Sequence, residues 1–423
     1  MIEIQSDSGS RQRGFTLIEV SVSLIVTIIV LLGVLALFDF SNRLTRVQTN
    51  VSDMQQSLRV AQSDSVRLIR MAGRGGLPVG NPPTGMAVVV RNNVTDGTMV
   101  GGGSTPEVVP GSDVLTIRGV LSSSVYQINA NAALTLTPSP AAPTAGSLQL
   151  SNVAPSGVPQ DLTAITDAVN KQRREGLVLV ARQDPGIWAV VELDPASSNV
   201  SNPSNVTIGF RISGGSHTSD YIKLTSSPGT YPSGLTSAVS VGILEEYRFY
   251  VRREYAVAGD KTSGLVPKLS RARVYPNTQA PWGDDAANWR VDIADNIFDL
   301  QVALGLDTAA KDPAAGACGA GTIASDDVNC AIYESTDGEN DDWMYNGEKN
   351  TDAALFANSD LYYIRLTTLA RTDRRDKDYQ APVLARVEDN TYKSADTSVV
   401  NSTNERMYRR RRLRTVIDMR NLG

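Results

Sequence analysis

Gly14-Phe15-Thr16-Leu17-Ile18-Glu19 opens the stretch that decides the fold, residues 15–38, FTLIEVSVSLIVTIIVLLGVLALF. These 24 residues make a helix of about 36 Å, longer than the ~30 Å hydrocarbon core of a bilayer. Arg11 and Arg13 come first, and a basic flank assigns the preceding residues to the cytoplasm. A cleaved secretory signal also starts basic, but its apolar part is shorter and ends at small residues. Asp39-Phe40-Ser41 does not fit such an ending. One residue in the span is out of place. Glu19 lies five positions in, where an ionised carboxylate must either reach the headgroups or find a cation inside an assembly.

Working outward from the span, the helical pattern continues. Leu44, Val47, Val51, Met54, Leu58, Ala61, Ser65, Leu68 and Ala72 recur at spacings of three and four, while Arg43, Arg46, Gln48, Gln55, Arg59 and Arg67 fall elsewhere on the surface. No proline occurs from Phe15 to Ala72, and Gly73-Arg74-Gly75-Gly76-Leu77-Pro78 supplies stop signals. The spacing predicts one helix over 15–72, about 87 Å long. Its second half, 39–72, is expected to lay its apolar stripe on a globular domain formed by residues 73–423.

That domain has a different character, rich in Gly, Ser, Thr, Asn and Pro. Short alternating or apolar runs bounded by turn residues predict strands at 86–91, 113–118, 177–182, 187–193, 244–255, 269–275, 361–371 and 408–419. Residues 291–304 (VDIADNIFDLQVAL) read as a helix turning into a strand. Stretches near 92–112, 121–160 and 194–236 read as low-complexity insertions. The expected class is α+β: a long N-terminal transmembrane and amphipathic helix packed on a mostly antiparallel β head with long loops.

The composition argues against catalysis. Forty Lys and Arg against 45 Asp and Glu leave a net charge of −5, with 41% hydrophobic and 20% charged residues. That balance excludes a disordered chain and a multi-span membrane protein, and speaks against broad nucleic-acid binding. With one histidine and two cysteines, a zinc site built on His and Cys alone is excluded. No phosphate-binding loop or dinucleotide fingerprint occurs. His217 in Ser213-Gly214-Gly215-Ser216-His217-Thr218 superficially suggests a serine hydrolase, but no nucleophile elbow accompanies it. It reads as an exposed loop residue.

Cys318 and Cys330 flank a Gly/Asp-rich loop. In an oxidising compartment they are expected to form a disulfide, which by chain entropy would stabilise by roughly 3 kcal/mol. Around them lie Asp326, Asp327, Glu334, Asp337, Glu339, Asp341 and Asp342. Asp337, Glu339 and Asp341 are weak calcium candidates, because calcium takes six to eight oxygens and the spacing departs from an EF-hand. A solvated acidic loop without a cofactor is the favoured reading. Arg409 to Arg412 with Arg414, and Arg374-Arg375-Lys377, are basic runs of a kind that binds phosphate backbones. Alternate arginines on a strand face opposite ways, so structural or inter-subunit roles are favoured and nucleic acid is not an expected partner.

The GFTLIE motif, with its basic leader, junction glycine, following phenylalanine and glutamate five residues on, resembles the class III signal of type IV pilins and type II secretion pseudopilins. The resemblance implies a leader of residues 1–14, cleavage by a membrane prepilin peptidase between Gly14 and Phe15, and methylation of the new amino terminus. Glu19 would then pair with the amino group of a neighbouring subunit's Phe15, fixing register while offsetting its desolvation. Many pilins carry a helix-bending proline in the span; Ala36 and Gly33 stand there in this chain.

Later segments, in order, resemble the PilW family of type IV pilus assembly proteins. They are residues 111–117, 175–180 with 187–193, 247–255, Leu269-Ser270-Arg271, 299–302 with 305–307, Tyr363-Ile364-Arg365-Leu366, and the basic ending from Tyr408 to Arg412 with 416–421. The resemblance implies a non-enzymatic minor pilin, its N-terminus cytoplasmic in the inner membrane before assembly and the chain later in the periplasm or a surface pilus. Implied partners are the peptidase, major and minor pilins and the inner-membrane assembly platform. A large head suits a low-copy position at or near the tip, priming assembly and presenting adhesive loops. A type II secretion tip pseudopilin and a pilus-borne adhesin or DNA-uptake module are the neighbouring readings.

Overall fold

The computed structural model describes residues 15–78, 87–92, 94, 108–129, 134–181, 186–233, 235–255, 257, 260, 265–283, 289–308, 343–344, 359–384, 386–388, 390–392 and 401–419. The chain divides into two compact units between Asp53 and Met54. In the first unit every residue from 15 to 46 is exposed. The helix α1 (Leu17–Ile69) begins there. Its Ser and Thr hydroxyls turn inward: Ser21 donates to the Leu17 carbonyl at 2.9 Å and Thr27 to the Ser23 carbonyl at 2.7 Å. An apolar surround offers those groups no other partner, so this back-bonding satisfies them within the helix.

The second unit starts with the last turns of α1, which bury Met54, Leu58, Ala61, Ser65, Leu68 and Ile69. Leu58, Leu68 and Ile69 are at most 4% exposed, each worth about 1.5–3 kcal/mol of burial. The helix stops where Gly73, Gly75 and Gly76 take φ of 78°, 100° and 99°, a region L side chains rarely enter. A Cβ on Gly75 or Gly76 would also strike Val120 or Val180. The turn ties to the sheet: Gly73 N–H donates to the Arg118 carbonyl and Val120 N–H to the Arg74 carbonyl, at 2.9 and 2.7 Å.

The strands are β1 (Val88–Arg91), β2 (Val114–Gly119), β3 (Tyr126–Gln127), β4 (Thr135–Thr137), β5 (Ala145–Leu150), β6 (Gly176–Ala181), β7 (Trp188–Asn199), β8 (Val206–Arg211) and β9 (Ala238–Tyr255). They continue with β10 (Leu265–Val274), β11 (Arg290–Asp295), β12 (Ile297–Thr308), β13 (Trp343–Met344), β14 (Ser359–Arg371), β15 (Arg386–Val387), β16 (Asn390–Thr391) and β17 (Arg410–Asp418). Short helices α2 (Thr163–Asn170) and α3 (Thr218–Tyr221) interrupt them. Eleven of the described strands form one sheet, ordered β1-β2-β9-β6-β7-β8-β5-β4, with β3, β10 and β11 joined through β9 and β10. A second sheet runs β13-β12-β14-β17. The pairings within both are antiparallel.

Strand β6 shows why the core lies where it does. All six residues of GLVLVA are buried, so both faces of the strand are covered. Leu177 and Leu179 join the cluster of Ile165, Ala168, Val191, Ile208 and Phe210 beneath α2. Val178 and Val180, on the opposite face, meet the glycine turn that ends α1.

Two expectations change. Residues 291–304 are not helical: they form most of β11 and β12, joined by Asn296 at φ 62°. β11 pairs with β10 and β12 with β14, and those cross-strand partners outweigh the helical spacing. The segments 121–160 and 194–236 are not plain insertions, since β5 and β8 lie in them and pair with each other over six residues.

Candidate assembly site

The start of α1 is built by Thr16 and Glu19. The Thr16 N–H donates to Glu19 Oε2 at 2.9 Å and the Thr16 hydroxyl to the same oxygen at 3.0 Å. Glu19 N–H returns a bond to Thr16 Oγ1 at 3.3 Å. This is a capping box, in which an N-cap hydroxyl and a carboxylate three residues on satisfy each other's backbone donors. The Thr-x-x-Glu spacing was readable in Thr16-Leu17-Ile18-Glu19, yet sequence reasoning gave a role to Glu19 alone. Both Thr16 donors converge on Oε2. Phe15 beside it is 87% exposed.

Several charged residues of the head are held in internal pairs. Glu246 on β9 is fully buried between Arg118 at 2.5 Å and Arg248 at 2.6 Å, and accepts Asn277 N–H at 2.6 Å. Burial pushes its pKa up, but the two guanidiniums and that N–H outweigh the push and hold it below the ordinary glutamate value. Glu175 behaves oppositely: burial raises its carboxyl above the usual range despite Arg273, Trp282 and Arg173 nearby. Among the described residues no group of three or more His, Cys, Asp and Glu could hold a metal.

The C-terminal basic runs are partly spent on the fold, together with Arg371 and Arg365 outside them. Arg409 pairs with Asp376 at 2.9 Å, Arg414 with Glu388 at 3.1 Å, and Arg371 with Glu405. Arg365, 4% exposed, also holds Glu388. Arg411 and Arg412 on β17 stay exposed. Arg374 is exposed and reaches Asp373 only at 3.9 Å.

His217 differs from its expected state. It is half-buried as the residue preceding α3, stacked on Tyr275 with ring centroids 4.7 Å apart and 5.7 Å from Tyr221. Glu192, fully buried, accepts the N–H of Ser216 at 3.0 Å and of His217 at 2.6 Å, pinning the Gly-rich loop inward. The imidazole is structural. Gly14, Cys318, Cys330, Asp337, Glu339 and Asp341 lie outside the described residues.

Residues 9–35 match the family model of the prokaryotic N-terminal methylation motif. Residues 248–421 match that of type IV pilus-assembly protein W, covering β10 to β17 and the final part of β9. No curated protein and no solved structure matches the chain significantly.

Proposed function

We propose, starting from a chain that is type IV pilin-like and matches the PilW family model over 248–421, that it acts as a minor pilin. In this reading the prepilin peptidase cuts between Gly14 and Phe15 and methylates the new amino group. The processed subunit then leaves the membrane for a low-copy place at or near the pilus tip, where it helps prime assembly and presents adhesive loops.

The observation that carries the reading is the capping box at the head of an exposed apolar helix. Cleavage turns Phe15 N into a cation that must be buried in lipid or in packed helices, where an unpaired charge is expensive. Glu19 answers that charge. Its Oε2 is engaged by Thr16 of its own chain, leaving Oε1 to accept from the Phe15 amine of the adjacent subunit. Helices with exposed apolar surface from 15 to 46 then bury that surface against one another on leaving the bilayer.

Intact-mass and N-terminal analysis of the protein from its native membrane tests the reading. A chain starting at N-methylated Phe15 supports it, whereas a chain starting at Met1 in cells with active peptidase overturns it. Deletion separates the neighbouring role, because a pseudopilin mutant loses exoprotein secretion and keeps surface pili. In the same reading Cys318 and Cys330 are bonded in the periplasm, checked by the absence of free thiols in the denatured, unreduced protein.

A further inference from the structure

The loop that follows β10, residues 275–283, is held to the head by two buried carboxylates. Near its start Glu246 accepts the Asn277 N–H at 2.6 Å, and Arg248, bound to the same carboxylate, donates to the Thr278 carbonyl at 2.5 Å. Near its end the Trp282 indole N–H donates to Glu175, 2.9 Å from Oε1 and 3.0 Å from Oε2. Among the described residues Glu175 is the hydrogen-bond acceptor of that indole. The ring lies between two cations, with the Arg273 guanidinium 3.5 Å and the Arg173 guanidinium 4.9 Å from its centre.

The two carboxylates meet acid differently. Glu246 sits between two guanidiniums and stays ionised below the ordinary glutamate value. Glu175 is 2% exposed. Burial raises its carboxyl against the pull of Arg273, Trp282 and Arg173, and Glu245 of β9 adds to the rise. Neither cation belongs to Glu175 alone. Arg273 pairs with Glu245 at 2.8 Å, and Arg173 pairs with Asp167 at 2.9 Å while its Nε lies 3.1 Å from Glu175 Oε1. The other titratable groups of the packed elements are Tyr221 of α3, Tyr247 of β9 and Glu192 of β7. Burial raises both tyrosines, and Glu192 accepts the Ser216 and His217 N–H groups.

We infer that Glu175 and Trp282 form an acid-released latch on the 275–283 loop. As a carboxylate, Glu175 takes the indole N–H in a charge-assisted bond, about twice as strong as one to a neutral group. A proton on either oxygen removes one of the two acceptors and the charge that strengthens the other. Arg173 and Arg273 keep Asp167 and Glu245, so the indole is the group that lets go. Glu246 still holds the Asn277 end, which confines the release to the Trp282 end. The folded head takes this proton more readily than the unfolded chain, so proton uptake by Glu175 favours the fold and the latch opens in a folded head. It lies within the head and does not rest on the assembly reading.

The test is acrylamide quenching of tryptophan fluorescence on the detergent-solubilised full-length protein, from about pH 8.5 to about pH 5. The Trp282 contribution is the difference from Trp282→Phe. Acid should raise its quenching constant at least twofold while far-ultraviolet circular dichroism stays constant. Glu175→Gln keeps the shape and removes the titration, so the Trp282 signal should become independent of pH. His217→Phe should leave the acid response in place, although His217 stacks on Tyr275 of the same loop. Hydrogen exchange of the unaltered chain gives a reading that needs no variant. Corrected for intrinsic rates, protection of the Trp282 N–H, bonded to the Arg273 carbonyl at 3.1 Å, should fall in acid while that of the Asn277 N–H persists. A Trp282 signal and protection indifferent to pH overturn the proposal. So does a response that survives Glu175→Gln, or one that His217→Phe abolishes.

Discussion

Glu19 has one oxygen engaged by Thr16, which separates its capping contacts from its proposed pairing experimentally. Replacing Glu19 by Ala should leave insertion and cleavage intact but abolish recovery of the protein in sheared pili, measured by immunoblot. Replacing Thr16 by Ala keeps the carboxylate and loses its anchor, so incorporation should fall severalfold without vanishing. His217 gives a second residue-scale prediction. Burial lowers its pKa, Glu192 and Asp220 pull it up, and Arg174 adds to the lowering. The folded chain thus binds its proton less readily than the unfolded chain, whose histidine titrates near 6.5. The unfolded state gains protons first on acidification, so this contribution is complete above about pH 6.5 and is lost as pH falls from there through the depressed folded value. Between pH 7.5 and 5.5 the melting temperature of the unaltered chain should change less favourably than that of His217→Phe, since the raised Glu175 acts in the opposite direction and is common to both.

Among the elements, β9 binds the head together. It pairs with β2, β3, β6 and β10, and Glu246 ties it to Arg118 on β2. Changing Glu246 to Gln removes the carboxylate charge that Arg118 and Arg248 share at 7% and 9% side-chain exposure. The expected loss is roughly 3–5 kcal/mol, read by chemical denaturation of the solubilised protein. The turn after α1 is equally strict. Gly75→Ala adds a left-handed φ penalty to a clash with Val120 and should cost about 1–3 kcal/mol.

At the scale of the head, the two larger sheets are stitched by a few polar bonds. Asp113 N–H donates to the Leu300 carbonyl at 2.8 Å, Val302 N–H donates to the Asp113 carboxylate at 2.7 Å, and Gln301 donates to the Gly111 carbonyl at 2.8 Å. Asp113 is fully buried. Asp113→Ala leaves the Val302 N–H buried without that acceptor, which should cost about 1–3 kcal/mol. Hydrogen exchange should rise first in β12 and β14, because the second sheet loses an attachment to the first.

The sequence by itself determined the long apolar N-terminal helix, its methylation motif, the stripe on its second half and the glycines that end it. Those signals are local: apolar length, a spacing of three and four, and backbone freedom at Gly73, Gly75 and Gly76. The strands β9, β10, β14 and β17 were legible too, because alternation survives within one strand. Only the tertiary structure decided that 291–304 is extended, that His217 stacks on Tyr275, that Glu246 is caught between two arginines, and that Gln62 of α1 meets Thr415 of β17. Each depends on a partner distant in the chain, 128 residues for Arg118 and Glu246 and 353 for Gln62 and Thr415. No local pattern carries that information, because the energy of such contacts comes from burial and pairing that exist only once the sheets have assembled.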